Sequence, residues 1–195
     1  MKKNLGLVIT IGIIAIAVMW CISGYNGLVS MDEGVQNKWA DVETQYQRRA
    51  DLIPNLVNTV KGYAAHEKET LESVVKARSE ATSVKIDPSN MTAEQMAQYQ
   101  NAQNGVTSAL SKLLLVVEKY PDLKANQNFQ ELQSQLEGTE NRIAVARRDY
   151  NAVAKEYNTA VRKFPKNILA GMFGFEKKEY FEAQEGSEAA PEVKF

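Results

Sequence analysis

Cysteine and histidine are nearly absent, with one residue of each in 195. A His/Cys zinc site, a Cys-x-x-Cys redox pair and an internal disulfide each need more of these side chains than the chain has. An excess of one charge is also lacking, because 23 Lys and Arg residues oppose 24 Asp and Glu residues. Since nucleic-acid-binding proteins usually gather a basic excess on one face, we expect no nucleic-acid partner. Without a nucleophile–base or metal constellation, we also expect no cofactor and no enzymatic activity.

A long uncharged run lies at the start of the chain. From Leu5 to Ile22 there are eighteen residues without a charge, and a helix over Leu5–Tyr25 spans about 31 Å, close to the hydrocarbon thickness of a bilayer. A cleaved signal peptide has a shorter apolar region that ends at small residues, whereas Met19–Cys21 is bulky. We therefore predict an uncleaved transmembrane anchor over residues 1–26, with interfacial aromatic residues at its end. The anchor residues that we single out are Leu5, Val8, Ile13, Ile16, Trp20 and Tyr25.

The charges that flank the anchor predict its orientation. Lys2 and Lys3 precede the apolar run, and the first charges after it are Asp32 and Glu33. The positive-inside rule then places the N-terminus in the cytoplasm and the long remainder outside it. Basic residues from position 38 onward leave the opposite orientation open.

Glycine and proline are sparse, at 11 and 5 residues, so the chain can form long helices. Beyond the anchor, apolar residues recur at spacings of three and four, which is typical of helices with coiled-coil-like packing. We predict an all-α fold, in which residues 27–181 form an elongated antiparallel bundle of three to four helices. Residues 182–195 have few core-forming side chains and are predicted to be a disordered tail.

Three amphipathic runs define the predicted helices. The first covers residues 35–74, and Pro54 within it predicts a kink or a restart near Asp51 because proline has no amide hydrogen. The second begins at Thr92 with the capping-box sequence Thr-Ala-Glu-Gln and stops at Tyr120. The third keeps one apolar stripe for five heptads over 129–164. The thin core of such a bundle predicts that some large side chains face neighbouring copies of the chain, namely Tyr46, Met96 and Tyr99.

Several motifs along the chain resemble those of the LemA family. The matching segments are Tyr25-Asn26, Trp39, residues 48–57, 61–64 and 66–67, Glu140–Arg142, Arg147, Tyr150-Asn151, Tyr157-Asn158, Phe164-Pro165 and 170–175. The resemblance implies a bacterial single-pass membrane protein with a helical bundle. For this family the short N-terminus has usually been placed outside the cell, whereas Lys2 and Lys3 favour the cytoplasm, and we keep the orientation that the charges predict.

Polar residues near the predicted proline kink are the first candidate site. They could form a recognition spot where the kink frees backbone carbonyls, or a structural cluster, which we favour. In the structural interpretation Arg49 pairs with a carboxylate of the third helix and Asp51 caps the segment after the kink. Glu67, on the predicted core stripe, would pair with a basic residue at position 142, 147 or 148, either as a ligand-sensing charge pair or, as we favour, to fix the helix register. The predicted structural polar cluster consists of Arg48, Arg49, Asp51, Asn55, Glu67, Arg142 and Arg147.

Two further features of the third helix and the segment after it stand out. The dipeptide Tyr-Asn repeats at 150–151 and 157–158, which predicts a packing repeat with hydrogen-bonding groups beside the core stripe. The apolar segment 168–175 lies between lysines, so it could lie in a membrane interface, contact a partner or cap the bundle. The predicted interaction residues are Ile168, Leu169, Met172, Phe173 and Phe175.

These features predict a membrane-anchored oligomeric scaffold or organiser at the bacterial membrane or envelope. The alternative is a membrane-tethered sensory or partner-binding module. Expected partners are membrane lipid and further copies of the chain, with other membrane proteins as additional candidates.

Overall fold

The computed structural model describes residues 2–182, with side chains from residue 6 onward. Within that range the chain forms six helices and no strands. They are α1 (Lys2–Lys61), α2 (Lys68–Ser83), α3 (Ala93–Val117), α4 (Pro121–Lys124), α5 (Gln127–Arg162) and α6 (Lys166–Phe173). The predicted all-α helical bundle is confirmed. Most of the predicted tail lies outside the described residues.

Helix α1 joins the apolar run to the bundle without a break. Its 60 residues extend for about 90 Å at 1.5 Å per residue. The apolar half is long and hydrophobic enough to cross a membrane, and none of its most hydrophobic window is buried within the protein. Burial begins at Gly24 and Leu28, where the other helices come alongside. The predicted anchor and the first bundle helix are therefore a single continuous element.

The predicted restart near Asp51 is wrong, because α1 continues through Pro54 to Lys61. The chain instead leaves the helix at Gly62–Glu67 and starts α2 at Lys68. The first predicted helix is therefore two helices that pack against each other. The apolar spacing continued across this turn because Ala64 and Leu71 both belong to the core of the bundle.

The second and third predicted helices match α3 and α5. At the start of α3 the Thr92 hydroxyl accepts from the Gln95 backbone N–H, and the Gln95 side chain accepts from the Thr92 N–H, as a capping box requires. Helix α5 begins behind Asn126, whose side chain accepts from the Phe129 N–H. It ends at Arg162, two residues before Phe164, so the predicted last core position of this stripe is exposed.

Helices α1, α2, α3 and α5 pack around a distal core, far from the apolar half of α1. Each of these helices contributes to the core, for example through Val60, Leu71, Leu113 and Phe129. Since short turns connect these helices, neighbours in sequence run antiparallel, and α5 returns along α1.

A proximal core lies between the distal core and the apolar half of α1. Helix α2 does not reach it, and its place is taken by Ile86 and Met91 of the 84–92 loop, by α6 and by the extended segment 175–182. The three side chains predicted to face neighbouring copies belong to this core, so that expectation is wrong: Tyr46 is 6% exposed, Met96 2% and Tyr99 4%. The extended C-terminal segment, which no helical pattern reveals, supplies the missing cover.

Candidate functional site

A buried arginine joins three helices between the two cores. Arg49 of α1 is 2% exposed, and its Nη1 donates to Glu140 Oε1 of α5 at 2.8 Å and to Thr107 Oγ1 of α3 at 2.9 Å. Its Nη2 donates to the Gln103 backbone oxygen at 3.0 Å and to Gln103 Oε1 at 2.7 Å. The expected pairing with a carboxylate of the third predicted helix is thus present. Because guanidinium stays charged, removing one partner would leave a buried charge unsatisfied.

A hydrogen bond from α2 explains how α1 continues through Pro54. Proline at position 54 cannot donate to the carbonyl of Ala50, four residues earlier, and Ala50 is buried. Arg78 of α2 supplies the missing donor, since its Nε lies 2.7 Å from the Ala50 oxygen. The proline therefore does free a backbone carbonyl, and a side chain of the neighbouring helix takes it.

The other residues predicted near Pro54 do not join this network. Asp51 lies inside α1 and accepts from Gln47 Nε2 at 2.7 Å, so it caps no helix and that prediction is wrong. Arg48 and Asn55 are exposed on the same helix. The helix does not restart here, so there are no free amide groups for Asp51 to cap.

The predicted pairing of Glu67 with a basic residue of the third helix is also wrong. Glu67 lies in the α1–α2 turn at the distal end, where its Oε1 accepts from the Tyr120 hydroxyl at 3.1 Å. Arg142 is exposed on α5. Arg147 is near the other core, where its Nη2 donates to the Glu182 backbone oxygen at 2.9 Å. The turn after Lys61 removes Glu67 from the continuous stripe that the prediction assumed.

The Tyr-Asn repeat of α5 binds the extended C-terminal segment. Asn158 donates to the Lys178 oxygen and accepts from the Lys178 N–H, both at 2.8 Å. Asn151 makes the same pair of hydrogen bonds with Phe181, both at 2.9 Å. Seven helical residues advance about 10.5 Å and three extended residues about 10 Å, so the two spacings match. The predicted hydrogen-bonding groups therefore clamp the backbone of this segment.

The clamp carries Phe181 into an aromatic cluster of the proximal core. Its ring stacks on Trp39, with centroids 5.6 Å apart and an interplanar angle of 11°, and it meets Tyr150 edge-on at 5.4 Å. The Arg147 guanidinium lies 4.9 Å from the Phe181 centroid. Glu182 is held by Arg147, so the segment predicted to be a tail is still bound to the bundle at its first residue.

A buried lysine in the same segment was not anticipated. Lys178 is 7% exposed, and its Nζ lies 2.8 Å from Asp32 Oδ1 of α1. It also donates to the backbone oxygens of Pro88 and Ser89 at 3.3 and 3.2 Å. The lysine thus ties the start of the bundle, the 84–92 loop and the C-terminal segment together. No local pattern distinguishes Lys178 from the exposed Lys177 beside it, so sequence reasoning had no signal for this contact.

An open cleft of about 1040 Å³ lies beside Arg49 and Arg78. It is lined by charged groups of both signs, including Glu43, Arg48 and Lys85. Burial raises the pKa of Tyr46, which lines this cleft. Within the described residues, no group of three or more His, Cys, Asp or Glu side chains is placed to hold a metal ion.

The predicted interaction residues divide between core and surface. Leu169 is 2% exposed and belongs to the proximal core, so its assignment to an exposed contact is wrong. Ile168, Met172 and Phe173 are exposed, whereas Phe175 is half-buried against the proximal core. Ile168 and Met172 share one face of α6, Leu169 faces α1, and Phe173 lies at the last residue of the helix.

The predicted anchor residues lie on the exposed half of α1. Val8, Ile13, Ile16 and Trp20 are exposed along the apolar run, and the Leu5 side chain lies outside the described residues. Tyr25 meets Phe173 edge-on, with centroids 4.8 Å apart. The end of the anchor is therefore in contact with α6.

Comparison with known proteins gives a family and several relatives. The model of the LemA family matches residues 38–195. Magnetosome protein MamQ 2 of Paramagnetospirillum magneticum is 33% identical over 175 residues, which cover 81% of this chain and 64% of the relative. Magnetosome protein MamQ of Magnetospirillum gryphiswaldense is 31% identical over 174 residues, covering 80% and 64%. Protein LemA of Metamycoplasma hominis is 23% identical over 160 residues, covering 82% and 69%. The chain thus spans less than two thirds of the length of the MamQ relatives, 64% in each case.

Proposed function

The chain belongs to the LemA family, and from that premise we propose that this membrane-associated helical protein is an oligomeric scaffold at the bacterial membrane or envelope. Three of its relatives are named as magnetosome proteins.

The continuity of α1 is the observation that carries this proposal. One helix of 60 residues contains the apolar run and also contributes side chains to both cores. Helix α5 packs along it, and Lys178 of the clamped C-terminal segment pairs with Asp32 where the bundle begins. A bundle fixed in this way keeps one orientation to the membrane, so association of the apolar segments also aligns the bundles.

Membrane confinement makes weak contacts between copies effective. Tethering to one surface raises the effective concentration of the bundles, so lateral contacts that are weak in solution can hold an assembly. Since Tyr46, Met96 and Tyr99 are used within the chain, such contacts must come from the apolar half of α1 or from exposed bundle faces.

A membrane-tethered sensory or partner-binding module is the second candidate. The cleft beside Arg49 favours it, because Arg48, Arg78 and Lys85 offer hydrogen-bond donors to an acidic group. The cleft is open, however, whereas small-molecule sites usually enclose most of the ligand surface. This geometry suits a protein segment better than a small molecule, and the scaffold remains the better-supported proposal.

We place the bundle on the extracytoplasmic side, on the evidence of Lys2 and Lys3 before the apolar run and of Asp32 and Glu33 after it. The scaffold proposal does not depend on this side, because α1 aligns the bundles in either orientation.

Co-capture of two differently tagged copies tests the proposal. The full chain would be extracted with its native lipid in nanodiscs, and one tag would be used to retrieve the other. We expect retrieval at low expression levels. A matched chain with an unrelated single-pass helix in place of residues 1–23 shows whether the bundle alone supports association. Absence of retrieval at every expression level would contradict the scaffold.

A further inference from the structure

Exposed apolar side chains of the bundle concentrate at the end nearest the anchor. Phe164 is 80% exposed, Ile168 51%, Met172 71% and Phe173 54%. Ile168 and Met172 are four residues apart and share one face of α6, and Phe164 lies in the turn that precedes this helix. We call these four side chains the α6 ledge. All four lie within ten residues of the chain, whereas other exposed apolar residues, such as Val75 of α2 and Leu115 of α3, lie on other helices.

The α6 ledge lies at the level where α1 leaves the apolar run. Leu169, one turn before Phe173 on α6, packs so closely on α1 that a Cβ at Gly24 would lie 2.5 Å from its Cδ1. Phe173 of the ledge contacts Tyr25. The continuous apolar run of α1 ends at Ile22, and the first charge after it is Asp32. A bilayer crossed by α1 therefore has its interfacial region beside α6.

Basic residues flank the α6 ledge in sequence, and we call them its basic rim. Residues 162–177 contain four basic residues and one acidic residue, whereas the whole chain has a net charge of −1. The basic residues are exposed or half-exposed: Arg162, Lys163, Lys166 and Lys177. Exposed apolar side chains with a cationic rim are typical of segments that lie in the interface of an anionic membrane.

We propose that the α6 ledge is a second membrane contact, inserted beside the anchor and recognising anionic phospholipid headgroups through its basic rim. An eight-residue helix is too short to be stable alone in water. Here Leu169 and Ala170 fix it to the proximal core, and the clamped segment behind Gly174 holds its other end. The ledge thus fixes the tilt of the bundle relative to the bilayer, which a single helix cannot do.

Site-directed spin labelling tests this contact. In a Cys21→Ala background, Met172→Cys and Leu115→Cys give two label sites in the full chain that are both 71% exposed. After reconstitution into phosphatidylcholine–phosphatidylglycerol vesicles, we expect the label at 172 to be accessible to oxygen and shielded from a water-soluble nickel chelate. The label at 115 should show the opposite. Equal access of the chelate to both sites would overturn the proposal, provided that circular dichroism shows the same helicity for both variants.

Lipid dilution separates a bilayer from a second copy of the chain. If lipid covers the ledge, shielding at 172 stays constant as the lipid-to-protein ratio rises. Shielding that disappears on dilution would mean that another protomer covers it, and the lipid contact would be refuted.

The role of the basic rim needs a charge variant. Replacing Lys163, Lys166 and Lys177 together with Gln keeps the apolar side chains. When phosphatidylglycerol is added to phosphatidylcholine vesicles, we expect the label at 172 to move deeper in the parent chain and not in this variant. An equal response in both would refute recognition of anionic headgroups.

Discussion

The contact between Arg78 and the Ala50 carbonyl gives the sharpest prediction about the fold. Replacing Arg78 with Met keeps most of the aliphatic side chain and removes the donor that lies 2.7 Å from the Ala50 oxygen. Ala50 is 7% exposed, so its carbonyl has little access to water. Leaving a buried acceptor without a partner costs about 1–3 kcal/mol, and we expect a loss of that size in the free energy of unfolding.

The cost arises because Pro54 has no amide hydrogen for the Ala50 carbonyl, so replacing Pro54 tests the explanation. In a Pro54→Ala chain the new N–H at position 54 can donate to the Ala50 oxygen. Arg78→Met should then cost less than about 1 kcal/mol, because the carbonyl keeps a partner. The double-mutant cycle should show a coupling of about 1–2 kcal/mol between two residues on different helices.

The assay is denaturant unfolding of the full chain in detergent micelles, followed by far-ultraviolet circular dichroism. Arg142→Met, an exposed arginine on α5, controls for loss of a positive charge. If Arg78→Met costs the same with proline and with alanine at position 54, the bond does not compensate for the missing proline donor, and the explanation for the unbroken helix is wrong.

Three other expectations follow from the cores and the clamp, and a fourth concerns topology. Ile143→Ala, at a 4% exposed core position, should lower the free energy of unfolding by about 2–5 kcal/mol, measured by thermal or denaturant unfolding. His66→Ala, in the exposed α1–α2 turn, should lower it little, and equal losses would refute the assigned core. Asn158→Ala should speed hydrogen exchange at the Lys178 amide, while the exposed Asn141→Ala should not, and protection that survives Asn158→Ala would refute the clamp. Burial raises the pKa of four tyrosines above the ordinary 10.0, namely Tyr46, Tyr99, Tyr150 and Tyr157. The unfolded chain therefore ionises these tyrosines at a lower pH than the folded state does, so the stability that they contribute is present below pH 10 and falls above it. Tyrosinate absorbance should rise together with loss of ellipticity, whereas ionisation of all tyrosines without unfolding would contradict their burial. A reporter that is active only in the cytoplasm, fused to the C-terminus, should stay silent, and a strong signal would reverse the assigned orientation.

The parts of the fold that the sequence predicts are those with local causes. The start of α3 depends on Thr92 and Gln95, which satisfy each other's backbone groups within one turn. Most of α5 follows from one apolar stripe, in which Ile143, Tyr150 and Tyr157 recur at seven residues. The apolar run of α1 is recognisable from length and hydropathy alone.

The errors have non-local causes. The effect of Pro54 depends on Arg78, which lies 24 positions later on another helix. The sequence does not predict the turn at Gly62, because Leu71 of α2 packs in the same core as α1 and continues the apolar spacing of that helix. The position of Glu67 was wrong for the same reason.

The candidate site was predictable in its residues and not in its partners. Asn151 and Asn158 stand out by their repeat, but their partners are backbone groups of an extended segment that has no periodic pattern. Arg49 pairs with a carboxylate of the third predicted helix, as expected. Its contacts with Gln103 and Thr107 of α3 could not be predicted, because the sequence does not show which residues of α3 lie beside Arg49. Tertiary packing decides these contacts.

Electron microscopy of the full chain, extracted in mild detergent, tests the scaffold most directly. Each copy has a mass of 21.8 kDa. We expect particles that contain many copies, with the bundles aligned on one side of the detergent belt because α1 is continuous. A preparation that consists only of single-copy particles, confirmed by mass measurement in native-lipid nanodiscs, would contradict an oligomeric scaffold.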